Sequence, residues 1–213
     1  MNRFIRFAFD QFYTNFAWTY DAIASVVSFG EWQLWGRQAI PFLPREGRIL
    51  EIAHGPGHVH LALREQGFHV AGIDLSRQMG RMAFKRVQDA QGAPPALARA
   101  SAMQLPFGDG FFVAAVSTFP AGFIFASETL TEVRRVLAHR GRLILVPAAE
   151  VRGRDWSSRL VRFAYQVTGQ SQMPDSATLS AFFAGHGFFF SQHQCPTPRA
   201  DVTVWVCEVL DKP

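Results

Sequence analysis

The segment Ile49-Leu50-Glu51-Ile52-Ala53-His54-Gly55-Pro56-Gly57, followed by Ala71-Gly72-Ile73-Asp74, constrains the fold of this chain more than any other stretch. An apolar run with strand character enters a Gly-x-Gly turn. A helical segment follows, and a second apolar run ends in one carboxylate. Without side chains, the turn lets backbone N–H groups approach a ligand, and the helix N-terminus behind it favours a carboxylate or phosphate. Asp74, 17 residues beyond Gly57, sits where a carboxylate can accept two ribose hydroxyls. The layout predicts a pocket for an adenosine-type cofactor.

The residues around the turn narrow that reading. The dinucleotide fingerprint needs a small third residue where His60 stands, which favours S-adenosylmethionine over a dinucleotide. Asp74 has a plainer alternative role, as N-cap of the next helix. Glu51 is a carboxylate inside an apolar strand, costly unless paired. It either reaches the cofactor's ammonium or makes a structural tie. His54, His58 and His60 crowd one glycine turn, where a metal would collide with the cofactor, and no Cys or Asp completes a ligand set, so no metal is expected. His54 is a candidate general base, against the alternative of a buried or capping histidine. Gly-x-Ser-x-Gly and Walker motifs are absent.

Periodicity extends the pattern along the chain. Residues 5–28 read as a helix with Phe9, Phe12, Tyr13, Phe16 and Tyr20 on one face, and a short helix spans 31–40 before Pro41 and Pro44. We take 1–44 as a helical cap and 45–213 as the main domain, with a helical insertion near 150–175. Strands at 48–53, 69–74, just before Ala100, 111–117 and 141–146 alternate with helices at 57–66, 76–90 (Ser76 as N-cap) and 127–138. Such alternation implies a doubly wound α/β domain with a mostly parallel sheet. After helices at 153–168 and 176–186, the runs 188–194 and 202–209 read as a terminal antiparallel pair.

Composition sets outer bounds. Hydrophobic residues make up 48% and charged residues 18%, enough for a core and too apolar for disorder. No long uncharged apolar run supports a transmembrane helix, and no small-residue cleavage site follows the apolar stretch 12–29. Cys195 and Cys207 read as reduced core thiols in a cytoplasmic chain. The net charge of +4 is spread along the chain, and no nucleic-acid module accompanies it. The basic stretch around Trp156 is either a peripheral membrane contact or a solvated helix face.

Four motifs in order resemble those of the class I S-adenosylmethionine-dependent methyltransferases. Residues 49–63 resemble the first motif, 70–76 the second-strand motif, 100–107 the third-strand loop and 132–146 the fifth-strand region. Phe16-Ala17-x-x-Tyr20-Asp21, then Ser28-x-Gly30 and Trp35, resembles the N-terminal motif of ubiquinone/menaquinone C-methyltransferases. The resemblance implies a Rossmann-like seven-stranded sheet, mostly parallel with an antiparallel C-terminal strand.

It also implies roles. Glu51, Ala53, Gly55 and Gly57 would line the methionine part of S-adenosylmethionine, and Asp74 would bind its ribose. Leu75, Met79, Ala102 and Met103 would lie beside the adenine. Ser101 stands where many members carry an acid that binds the adenine amine. Ser117, at the fourth-strand end, would complete the cofactor site, with Tyr20 closing over it as a further catalytic candidate beside His54. Tyr13, Phe119, Phe123 and Trp156 would wall a site for a small apolar, lipid- or quinone-like acceptor. Methyl transfer by direct in-line displacement is the expected activity. The alternatives are a non-catalytic cofactor-binding or interaction protein and a nicotinamide-dependent oxidoreductase.

Overall fold

A computed structural model describes residues 31–152 and 174–210 of the chain. The readings at 5–28, 153–168, Tyr13, Tyr20 and Trp156 lie outside the described residues. The apolar runs form one seven-stranded sheet of order β3-β2-β1-β4-β5-β7-β6. Its strands are β1 (Arg48–Ile52), β2 (His69–Asp74), β3 (Ala96–Arg99), β4 (Phe112–Thr118), β5 (Leu137–Val151), β6 (Phe188–Pro196) and β7 (Ala200–Val209). Pairs β1–β2, β1–β4, β2–β3 and β4–β5 are parallel. Only β7 runs against its neighbours β5 and β6. This is the doubly wound sheet expected from the alternation.

Both sheet faces are covered, which is why β1 reads as a continuous apolar run. Ile49 joins a core with Trp35, Val59, Leu63, Ala114 and Val146, under α1 (Trp32–Arg37) and α2 (His58–Glu65). Leu50 joins the opposite core with Leu130, Val133, Leu143, Phe183 and Trp205, under α4 (Ser127–Val136) and α5 (Ser176–Gly185). Each buried aliphatic or aromatic side chain contributes about 1.5–3 kcal/mol. Glu51, two residues after Ile49, therefore points to the α2 side.

Helix α3 (Arg77–Gln91) starts where the capping rule places it: the Ser76 hydroxyl accepts the Met79 N–H at 3.3 Å. Most boundaries differ from the sequence reading by a few residues, and two have a clear cause. Helix α4 stops at Val136 rather than 138. Strand β5 extends to Val151 because residues 148–151 pair with Ala200–Thr203 of β7, past a register shift at Pro147. Proline lacks the ladder N–H and is accommodated at such irregularities. Both cysteines are free, and burial pushes their thiols up.

Candidate cofactor and acceptor site

The strand order reverses direction between β1 and β4, and in open α/β sheets ligands bind beyond the carboxyl ends of the strands at that point. The chain leaves β1 through three successive positive-φ residues among five: Ala53 (55°), Gly55 (54°) and Gly57 (85°). The glycines have different tasks. A side chain on Gly55 would meet nothing within 4 Å, so this face of the turn is open to a ligand. A Cβ on Gly57 would stand 2.7 Å from the Ala83 Cβ and 2.8 Å from its Cα. Gly57 therefore serves the close packing of α3 against the turn, a role the sequence did not separate from ligand contact. Ala53 holds its left-handed conformation at a cost of order 1–3 kcal/mol.

Asp74 ties the turn to the second strand. Its Oδ2 accepts the Gly55 N–H at 2.9 Å and its Oδ1 accepts the Ser76 N–H at 2.8 Å. The N-cap of that helix is Ser76 and not Asp74, so the capping alternative for Asp74 does not hold. Asp74 braces the turn instead, and a carboxylate offers about four lone-pair sites, more than these two bonds use. Leu75 beside it is 65% exposed, and Met103, across the mouth of β3, is 46% exposed. Met79, expected in the same place, is instead buried in the core. Ala102 is half-buried against the core beneath α4. The Ser101 hydroxyl accepts the Met103 N–H at 3.2 Å and keeps its own proton for donation.

That third-strand loop is held by a network. Glu132 accepts the Leu105 N–H at 2.7 Å and pairs with Arg135. Arg135 donates to the Phe107 and Leu105 carbonyls and to Asp109. The Arg135 hydrogen bond, opposed by burial and aided by the Leu105 amide, holds the Glu132 carboxyl below its ordinary range. Arg135 is pushed up by Glu132 first and then Asp109.

Two other expected cofactor contacts are occupied within the protein. Ser117 is fully buried, and its hydroxyl donates to the Ile52 carbonyl at 2.8 Å, joining the tips of β1 and β4. Glu51 is buried, with its Oε2 2.9 Å from the Nδ1 of fully buried His60. Gly72, opposite Glu51 in β2, makes room for this pair, because a Cβ there would lie 3.1 Å from His60 Nδ1. The His54 Nδ1 donates to the Gly55 carbonyl at 2.7 Å. Its ring is buried, and its Cδ2 lies 3.1 Å from where a Gly72 Cβ would be, on the inner side of the turn.

Above the turn, α1 supplies a roof. Trp35 is fully buried and donates to Glu31, whose Oε2 also lies 3.3 Å from the Thr197 hydroxyl. Gly36 allows α1 to press on Val59 of α2. This seats Trp32 on Phe119, with ring centroids 3.9 Å apart and planes 26° apart. Trp32 was not singled out in the sequence; its contact with Phe119 spans 87 residues and leaves no local periodic mark. Trp32, Ala53, His54, Gly55, His58 and Phe119 are among the residues that line a cavity of about 50 Å³. Phe123 stands apart, packed against the core under α4. A larger groove of about 590 Å³, lined by Arg48, Arg64, His69 and Phe111, lies at the amino ends of the strands. That is the wrong end of the sheet for a cofactor site.

Comparison with known proteins agrees with this geometry. The family model described as "Methyltransferase domain" matches residues 50–145. The chain is 30% identical over 184 residues to a demethylmenaquinone methyltransferase of Symbiobacterium thermophilum, covering 81% of this chain and 68% of that protein. It is 34% identical over 139 residues to a demethylmenaquinone methyltransferase of Thermus thermophilus, covering 63% of each. Against several curated relatives the chain spans only 31% to 63% of their length. The fold is similar to that of Haemonchus contortus phosphoethanolamine N-methyltransferase 2, solved with S-adenosyl-L-methionine. The TM-score is 0.62 at 16% identity, over 85% of this chain and 53% of that one. With a glycine turn open at Gly55, an acid at the tip of β2 and the matching strand order, the chain belongs to the class I S-adenosylmethionine-dependent methyltransferases.

Proposed function

We propose that the chain transfers the methyl group of S-adenosylmethionine to a small, apolar, quinone-type acceptor. The observation that carries the cofactor part is the junction of the open Gly55 turn with the Asp74 carboxylate. In this reading Asp74 accepts the ribose hydroxyls with its remaining lone pairs. Leu75 and Met103 sandwich the adenine, Ala102 lies at its edge, and the Ser101 hydroxyl donates to the base. The Gly55 turn and the N-terminus of α2 hold the methionine carboxylate. Glu51, Ala53, Gly57, Met79 and Ser117 shape the site from behind. Tyr20 as a cover, and Tyr13 and Trp156 as acceptor walls, remain part of the proposal from sequence.

When bound, S-adenosylmethionine would supply an electrophilic methyl on a positively charged sulfur, leaving as S-adenosylhomocysteine, with the proton that the acceptor gives up passing to solvent or to a nearby base. The protein's contribution is alignment and exclusion of water, of which orientation supplies about 7–11 kcal/mol in favourable cases. His54 lines the cavity beside the turn; its Nδ1 is committed to the Gly55 carbonyl, and its Nε2 is the nitrogen that would act if His54 is the general base. The acceptor class rests on the relatives named as demethylmenaquinone methyltransferases and on the aromatic wall of Trp32 and Phe119. Among the described residues no helix is long and apolar enough to cross a membrane.

The test is formation of S-adenosylhomocysteine with a short-tailed demethylated quinol, and methylated product identified by mass. Turnover on that quinol supports the reading. Cofactor binding with no turnover on quinol, amine or phenol acceptors would support a non-catalytic binding protein instead.

A further inference from the structure

We propose that strand β6 is a homodimer interface, pairing antiparallel with β6 of a second copy of this chain about a two-fold axis at Ser191. The inference is independent of the methyltransferase reading. Strands β3 and β6 end the sheet on its two sides, and edge strands are ordinarily blunted by shortness, charge or proline. β3 follows that rule: it has four residues, comes after Pro94 and Pro95, and ends on Arg99. β6 does not. Its nine residues, Phe188–Pro196, include no Lys, Arg, Asp or Glu, and they pair with β7 in unbroken register. Phe189 on this strand is 64% exposed, and Leu210, just past β7, is 42% exposed.

The ladder fixes which backbone groups face outward. The Leu210 N–H donates to the Gly187 carbonyl at 2.9 Å, and the Thr197 N–H to the Ala200 carbonyl at 2.8 Å. Hydrogen-bonded and non-bonded pairs alternate along an antiparallel ladder. Phe189, Ser191, His193 and Cys195 therefore bond inward to β7, while Phe188, Phe190, Gln192 and Gln194 turn N–H and C=O to the edge. Pro196 also faces the edge but has no N–H. Among the described residues, no acceptor outside the β6–β7 ladder meets these four amides.

Such an edge is a template for a further strand, and its sequence suits its own copy. With the axis at Ser191, Phe188 lies opposite Gln194 of the partner subunit, and Phe190 opposite Gln192 of the partner subunit. All four outward residues of each copy are then paired, each pair exchanging two hydrogen bonds. An axis one residue later spends Phe188 on Pro196, and one residue earlier leaves Gln194 without a strand partner. On the other face, Phe189 falls opposite His193 of the partner subunit. A strand without charged side chains sets no like charges against each other when a two-fold repeats it.

The test measures the mass of the full chain by light scattering after gel filtration. At about 100 μM the chain runs at twice the 23.8 kDa of one copy. Phe189→Lys weakens the dimer at least about tenfold and keeps the wild-type urea midpoint, because the ring is exposed. In a Cys195→Ser background, Ser191→Cys forms an intermolecular disulfide on mild oxidation, since residues facing each other in a non-bonded pair lie about 4.5 Å apart at Cα. His193→Cys in the same background stays uncrosslinked. A single-chain mass at that concentration, a dimer unmoved by Phe189→Lys, or crosslinking by His193→Cys and not by Ser191→Cys overturns the proposal. A monomer whose outward β6 amides resist hydrogen exchange overturns it too, and assigns the edge to another segment of this chain.

Discussion

The Asp74 carboxylate accepts the Gly55 amide proton at 2.9 Å across 19 residues of sequence. The glycine turn after β1 and the acid at the tip of β2 are therefore one structural unit. Asp74→Ala leaves the Gly55 and Ser76 amides without that acceptor, each part-buried. Loss of stability by about 1–3 kcal/mol is expected, read as a lower urea midpoint with an unchanged slope. An unaltered midpoint would mean that water replaces the carboxylate at no cost.

The two glycines of the turn separate binding from stability. Gly57→Ala places a methyl against the Ala83 backbone at a positive φ, and overpacking plus strain should cost about 2–4 kcal/mol. Gly55→Ala meets no atom and should cost about 1 kcal/mol from its left-handed backbone alone. Its main effect should fall on cofactor affinity. Thermal unfolding and calorimetry on both variants check the contrast.

Ala53 carries the opposite prediction. Its φ of 55° suits glycine better, and Ala53→Gly relieves strain while adding unfolded-chain entropy. The net change should lie between zero and about +1 kcal/mol. A clear destabilisation in chemical unfolding would show that the methyl is needed for packing.

The Glu132–Arg135 network makes a pH prediction. The folded Glu132 carboxyl lies below its unfolded value, chiefly because Arg135 hydrogen-bonds to the charged form. Its contribution is thus complete above the unfolded carboxylate value of about 4.3 and is lost as pH falls through the lowered folded value. Glu132→Gln should be less stable than the wild type at neutral pH, and the gap should close on acidification. Urea midpoints measured from pH 7 down to 3 give the comparison.

Removing one partner of the buried Glu51–His60 pair should be destabilising. His60→Ala leaves the Glu51 side chain, 2% exposed, without its partner at 2.9 Å, and a buried polar group left unsatisfied costs about 1–3 kcal/mol. Glu51→Gln combined with His60→Ala should cost less than the two single changes summed, which a double-mutant cycle measures.

Much of this was legible in the sequence because it is local. The apolar run into Gly-x-Gly, the Ser76 cap and the acid ending β2 each occupy a few adjacent positions, and all three stand where they were placed. What escaped was set by distant partners. Residues 148–151 become strand because β7 lies alongside. Met79 is buried because α3 turns that side inward. Ser117 spends its hydroxyl on the Ile52 carbonyl 65 residues away. Gly57 is read by Ala83, and Phe119 by Trp32, contacts that no spacing rule encodes.

The most direct measurement is calorimetric titration of S-adenosylhomocysteine onto the wild-type chain and onto Asp74→Asn, with NAD as a parallel ligand. The account predicts one site per chain for the sulfur nucleoside, at least about 100-fold weaker in Asp74→Asn where two ribose contacts to a charged acceptor are lost, and no NAD binding. Equal affinity in the variant, or heat from NAD alone, would contradict it.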